Sequence, residues 1–242
     1  MDLSQIGKQI FNMLTDYEVE AIQLSVKVAG VAILWLIPIG VFFAWLLSKK
    51  QFIGKSILDS VIHLPLVLPP VVVGYLLLVS MGKQGVIGQF IYQLTGVSFS
   101  FSWRGAVLAC IIVALPLMVR SIRLSMDSVD HKLEQAARTL GASPRKVFFT
   151  ITLPLVIPGI ISGTMLSFAR SLGEFGATIS FVSNIPGETQ TIPLAMYSFL
   201  ETPGAEDAAM RLCIISIVIS LASLYFSESL NRWVARRLGV TQ

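Results

Sequence analysis

Five stretches of this chain are too long and too apolar to be buried inside a soluble domain of its size. Crossing the hydrocarbon core of a bilayer takes about 20 mainly apolar residues in helical form. Such runs fall at residues 21–47, 57–81, 101–119, 151–182 and 210–230. In lipid the backbone has no water to bond to, so a run of this kind satisfies its own amides and carbonyls as a helix. The 242 residues are 54% hydrophobic and 13% charged, about half the charged share of an ordinary soluble domain. The fold class that follows is all-α: a polytopic membrane protein with a transmembrane domain over residues 21–232.

Charge orients the bundle. Basic residues concentrate in cytoplasmic loops. Placing Lys49, Lys50 and Lys55 inside puts Arg120, Arg123, Lys132, Arg138, Arg145, Lys146, Arg232, Arg236 and Arg237 inside as well, by alternation. Lys83, Arg104 and Arg211 are left outside. The N-terminus is then external, and the 233–242 tail is cytoplasmic. The net charge of +4 is explained by this asymmetry, and no basic face with interleaved aromatics points to nucleic acid. Residues 1–20 lack the short apolar core of a cleavable signal. Ile6, Ile10, Phe11 and Leu14 have helical spacing, which suits an external amphipathic segment. Cys110 and Cys213 lie in apolar runs, and with His63 and His131 as the only histidines no metal-ligand spacing exists.

Polar and helix-breaking residues inside the runs mark candidate pathway positions. Pro65, Pro69 and Pro70 interrupt the second run; each removes a backbone donor, which fits either a kink or a segment packed beside a pathway. Arg170 and Glu174 are four apart near the end of the fourth run, with Ser171, Gly173 and Gly176 beside them. Charges at this depth face a bundle interior or water. Two readings stand: Arg170 lends positive potential to an anion path with Glu174 holding it, or the pair fixes packing or a gate. Gly173 and Gly176 would permit close helix approach. Asp59 and His63, also four apart, carry no assigned chemistry. Between Asn184 and Asp207, where Pro186-Gly187, Pro193 and Pro203-Gly204 break the chain, residues Ile192 to Leu200 suit a short helix.

The loop 127–150 is polar and basic but has helical spacing. Leu133, Ala136, Ala137 and Leu140 form an apolar stripe, Gly141 follows as a helix-ending residue, and Ser143-Pro144 suits the start of another helix. A striped helix on a basic surface fits docking into a partner's groove; it also fits lying on lipid headgroups.

Glu134-Gln135-Ala136-Ala137, then Gly141-Ala142-Ser143 and Leu153-Pro154, resembles the EAA loop of type I ABC importer permeases, with Gln135 where alanine is usual. Within that family, Leu64 to Gly74, Ala136 to Ser143, Phe168 to Thr178 and Asn184 to Pro193 resemble the molybdate permeases. Sulfate permeases share a Gly-Glu-aromatic-Gly stretch. The resemblance covers nearly the whole chain. It implies a permease subunit that moves molybdate by alternating access, with sulfate or tungstate as alternatives. It implies a homodimer, two cytoplasmic ATPase subunits that receive the coupling loop, and an external molybdate-binding protein, all at the bacterial inner membrane. ATP and Mg would sit on the ATPase, since no Gly-x-x-x-x-Gly-Lys loop occurs here; this chain would bind no cofactor and catalyse no reaction. An intramembrane enzyme would need convergent acid–base groups that this chain lacks, and a channel would not need the docking loop.

Overall fold

The computed structural model describes residues 14–238. The expected amphipathic segment therefore lies almost wholly outside the described residues. Helix α1 spans Asp16–Lys49, so it starts before the apolar run does. Its start is held by Glu18, whose carboxylate accepts the Thr15 amide at 2.7 Å and the Thr15 hydroxyl at 2.8 Å. At 1.5 Å per residue its 34 residues reach about 51 Å, well beyond the roughly 30 Å hydrocarbon core.

Helix α5 (Trp103–Asp127) runs parallel to α1. At one end the Lys27 ammonium lies 3.9 Å above the Trp103 ring; at the other the Ser48 hydroxyl donates to Asp127 at 2.6 Å. Small residues let the two approach: Ala32, Gly40 and Ala44 of α1 face Ala106, Ala114 and Met118 of α5, all buried. A Cβ added at Gly40 would overlap Met118.

Because α1 and α5 are parallel, the chain between them must return across the bundle. It does so as a broken crossing, not as the single helix expected over 57–81. Helix α2 (Lys55–Val67) and helix α3 (Pro70–Met81) meet at 116°. The break falls where two residues in succession precede a proline. Leu68 (ψ 142°) and Pro69 (ψ 131°) are both extended, the conformation that a following proline ring imposes. Pro65 alone is absorbed inside α2. The crossing starts beside Arg123, near one end of α5, and finishes packed with Phe99 and Trp103 at the other. Helix α4 (Val86–Thr95) follows, ending at Gly96 with φ +69°; at ten residues it is too short to have stood out as a span.

Helix α6 (His131–Thr139) lies at the lysine-rich end of the bundle. Helix α7 runs over Pro144–Leu172 without interruption. The fourth crossing thus begins earlier than residue 151 and stops at Leu172 instead of reaching 182. Phe148–Thr152 is a π-helical turn ending two residues before Pro154, close to where the missing proline amide already disturbs the hydrogen-bond ladder. Ser121 of α5 donates to the Gly159 carbonyl at 3.0 Å. Helix α8 (Gly176–Val182) is a separate short helix packed on α3 and α5. Helix α9 (Ile192–Leu200) occupies the expected segment; Ser25 of α1 accepts its first amide, from Ile192, at 2.7 Å.

Helix α10 (Glu206–Leu238) completes the bundle, and its helix covers residues 233–238, which the sequence suggested were a tail. Arg211 near its start meets Glu18 at 2.9 Å, and Asn231 donates to Ser162 of α7 at 3.1 Å. By length and apolar composition α1, α5, α7 and α10 can each cross a membrane, and the bent pair α2–α3 supplies a fifth crossing when counted as one span. No strand occurs among the described residues. This is an all-α integral membrane protein.

Candidate coupling surface and membrane-buried charge sites

Helix α6 is built from local chemistry. The Asp130 carboxylate accepts the Lys132 amide at 2.9 Å and caps its start. At its end the Gly141 amide bonds the Arg138 carbonyl and the Ala142 amide bonds the Ala137 carbonyl, both at 3.0 Å. That pair is the Schellman motif, and it needs the residue after the helix to be left-handed; Gly141 has φ +84°. Ser143 then accepts the Lys146 amide and Pro144 opens α7.

The apolar stripe is largely uncovered among the described residues. Leu133 is 49% exposed and Leu140 89% exposed. Gln135, Ala136, Gly141 and Ser143 are exposed too, while Ala137 and Ala142 are half-buried. Lys132, Arg138, Arg145 and Lys146 stand exposed around the stripe. An apolar strip inside a basic rim can dock on an acidic-edged groove.

Glu134 is different from its neighbours: it faces inward and is 8% exposed. Its Oε1 lies 2.9 Å from the Lys49 ammonium and accepts the Thr152 hydroxyl at 2.7 Å. Its Oε2 is 3.7 Å from His131 Nδ1. Burial pushes its pKa up, but the Lys49 ammonium, the Thr152 hydroxyl and His131 outweigh burial and hold it below the ordinary carboxylate value. Glu134 therefore does not belong to the exposed strip grouped with it in the sequence.

The second site lies where α7 ends. Gly173 closes that helix, and the Glu174 side chain, 1% exposed, turns back to accept the Ala177 amide at 2.7 Å and to meet Arg170 Nη1 at 2.7 Å. Arg170 remains partly exposed, so its pairing leaves it accessible from one side. The adjacent Ser171 is buried, and its carbonyl faces the Cys110 thiol at 3.7 Å.

Gly176 packs against the broken crossing: an added Cβ would stand 2.8 Å from Pro70 Cβ. Gly74 reciprocates against the Ala177 backbone. The start of α3 at Pro70 thus lies against the start of α8 at Gly176, and Pro65 lies inside α2. No other helix of the chain approaches Gly173 among the described residues. It is exposed, and the single heavy atom near its added Cβ, at 3.8 Å, belongs to its own helix.

Two further charge sites escaped the sequence. Arg123 Nη1 reaches both Asp59 oxygens at 3.1 and 3.2 Å, and His63 Nδ1 bonds the Asp59 carbonyl at 2.8 Å. Asp59 and His63 were visible as an i, i+4 pair, but Arg123 comes from another crossing. Glu18 and Arg211 form the other. A fully buried carboxylate beside an apolar run signals a partner without naming it. No group of three metal-ligating side chains converges among the described residues.

Residues 36–240 match the family described as binding-protein-dependent transport system inner membrane component. The chain is 64% identical over 227 residues to the molybdenum transport system permease protein ModB of Escherichia coli (strain K12), covering 94% of this chain and 99% of that one. It is 62% identical over 222 residues to ModB of Haemophilus influenzae, covering 92% and 97%. Among solved structures, a bacterial alginate ABC transporter in complex with its pentasaccharide-bound periplasmic protein shares the fold. The TM-score is 0.73 at 17% identity, with 93% of this chain and 80% of that one covered. The continuous bundle, the family match across most of its length and the near-full-length identity agree: this chain belongs to the binding-protein-dependent transport system inner membrane component family.

Proposed function

We propose that this chain is the transmembrane permease subunit of an ATP-driven importer for molybdate, acting as a homodimer. The observation that carries the reading is the α6 strip. It is an apolar face with a basic rim, held by a complete helix cap at the lysine-rich end of the bundle and left largely uncovered by the described residues. Its occupant in this reading is a cytoplasmic ATPase subunit, one per permease copy, which binds the ATP and Mg. The strong likeness to molybdenum permeases supports the substrate. An external molybdate-binding protein supplies the anion at the opposite end.

The lysine-rich end is cytoplasmic in this reading, with the N-terminus external and the C-terminus inside, as the distribution of basic residues favours. Closure of the ATPases moves α6, and the bundle switches between inward-facing and outward-facing states; the strip must make different contacts in the two for binding to drive the change. Arg170, presented at the α7–α8 break and held by Glu174, offers passing oxyanions a weak positive contact.

The test is reconstitution of the permease with its ATPase and binding protein in vesicles. Radiolabelled molybdate should enter on addition of ATP, with unlabelled sulfate a poor competitor. Leu140→Asp, which puts a charge into the strip, should release the ATPase and abolish uptake. Sulfate competing as well as molybdate would overturn the substrate, and retained ATPase in Leu140→Asp would overturn the docking face.

A further inference from the structure

Helix α6 is joined covalently to α5 through Ser128–Asp130 and to α7 through Gly141–Ser143. It has no chain connection to α1, although α1 packs on both α5 and α7 through Leu36, Ala44 and Leu47 in one buried cluster. The joint to α7 is also irregular. Its π-helical turn at Phe148–Thr152 ends two residues before Pro154, and a π-turn in an α-helix is a point of altered backbone pairing. A displacement of α6 would be absorbed there unless something bridges the joint.

Glu134 is the buried residue of α6, and it bridges that joint. One carboxylate oxygen holds Thr152, inside the π-turn, and Lys49, in the last turn of α1. Three elements therefore meet on a single group. Lys49 itself is largely withdrawn from water, at 14% side-chain exposure. A surface ion pair contributes little. A pair removed from water is costly to make unless it is well bonded, and its best-attested use is to fix register between elements. The Ser48–Asp127 hydrogen bond secures the same end of α1 to α5.

We infer that Lys49 is a positioning residue for coupling: through Glu134 it makes the end of the first crossing move with the docking helix. The inference rests on α6 being the ATPase-docking element. It adds a second route for that movement, into α1 and not only along α7, and it assigns Glu134 to the permease's own transmission rather than to the docking face.

The test uses the complete reconstituted importer and two readouts, the ATPase retained on purification and the molybdate transported per ATP hydrolysed. Lys49→Gln should retain the ATPase at wild-type stoichiometry while transport per ATP falls about 10-fold, within the usual span of coupling effects. Lys49→Arg should restore most of that loss, and the charge exchange K49E/E134K should recover part of it. If Lys49→Gln does not fold and insert in the membrane, Glu134→Gln carries the same test, since it keeps an oxygen for Thr152 while losing the charge.

An unchanged transport-to-hydrolysis ratio would overturn the inference. So would loss of the ATPase from Lys49→Gln, because Lys49 would then only hold α6 in place. Leu140→Asp separates the two ideas. If it keeps the ATPase, the docking reading fails independently of what Lys49 does.

Discussion

Replacing Gly141 by three residues of graded backbone tolerance tests whether the end of α6 controls coupling. At φ +84° an ordinary L-residue pays about 1–2 kcal/mol for the left-handed conformation. A Cβ at Gly141 meets no atom within 4 Å, so the cost of Gly141→Ala is purely backbone strain and no clash adds to it. Asn adopts this conformation more readily, and Gly141→Asn should cost less. Gly141→Pro does more harm: it cannot reach a positive φ, and it deletes the amide that bonds the Arg138 carbonyl at 3.0 Å.

A penalty of about 1–2 kcal/mol lowers the capped population about 5–30-fold where the uncapped form competes. The apparent affinity for the ATPase then falls by the same factor. The assay is titration of the reconstituted permease with its ATPase, followed by ATP-driven molybdate uptake at saturation. Hydrogen exchange over residues 133–142 serves as the local control. The expected order is glycine, then Asn, then Ala, then Pro with no coupled uptake, all inserted normally in the membrane. Equal affinity for Gly, Ala and Pro would refute the reasoning, as would weakened affinity in Ala without faster exchange at the Ala142 amide.

Four other outcomes are open to measurement. The depressed pKa of Glu134 means that its ion pair contributes stability fully above the unfolded carboxylate value of about 4.3 and loses it as pH falls through the lower folded value. Transport per ATP hydrolysed should therefore be level from neutral pH down to about 5 and fall only in stronger acid, and Glu134→Gln, low throughout, should show no acid step. Gly74→Ala drives a methyl into the Ala177 backbone and should destabilise by about 1–3 kcal/mol, read as a lowered Tm in detergent. Arg211→Met leaves Glu18, at 0% exposure, without its cation. The cost should approach the about 3–5 kcal/mol of a broken buried pair, and the double variant with Glu18→Gln should recover much of it. Arg170→Ala should slow uptake without loss of ATPase, and unchanged uptake kinetics would remove Arg170 from the path.

The sequence by itself determined the features that short-range physics controls. Hydrophobic length located the crossings, because a helix in lipid satisfies its own backbone. The end of α6 and the start of α7 were equally legible, since the Gly141 cap and the Ser143-Pro144 start depend on residues within one or two turns. The stripe at Leu133, Ala136 and Leu140 was readable for the same reason. Pro69 and Pro70 signalled disturbance, but whether it was a kink or a break depended on how α3 packs against α8 through Gly74 and Gly176.

Tertiary structure alone decided which polar residues meet. Arg123 and Asp59 are 64 positions apart, and Arg211 and Glu18 are 193 apart; no periodicity links residues at such separations. The same holds for Lys49, which in the sequence was only a marker of the inner end. It becomes the partner of Glu134 because α1 and α5 run parallel and bring their ends together beside α6. The motif that looked like one docking strip is thus split by the fold. Leucines and alanines stay outside, where an apolar face can be covered by a partner, and the carboxylate turns inward, where Lys49 and Thr152 satisfy its charge.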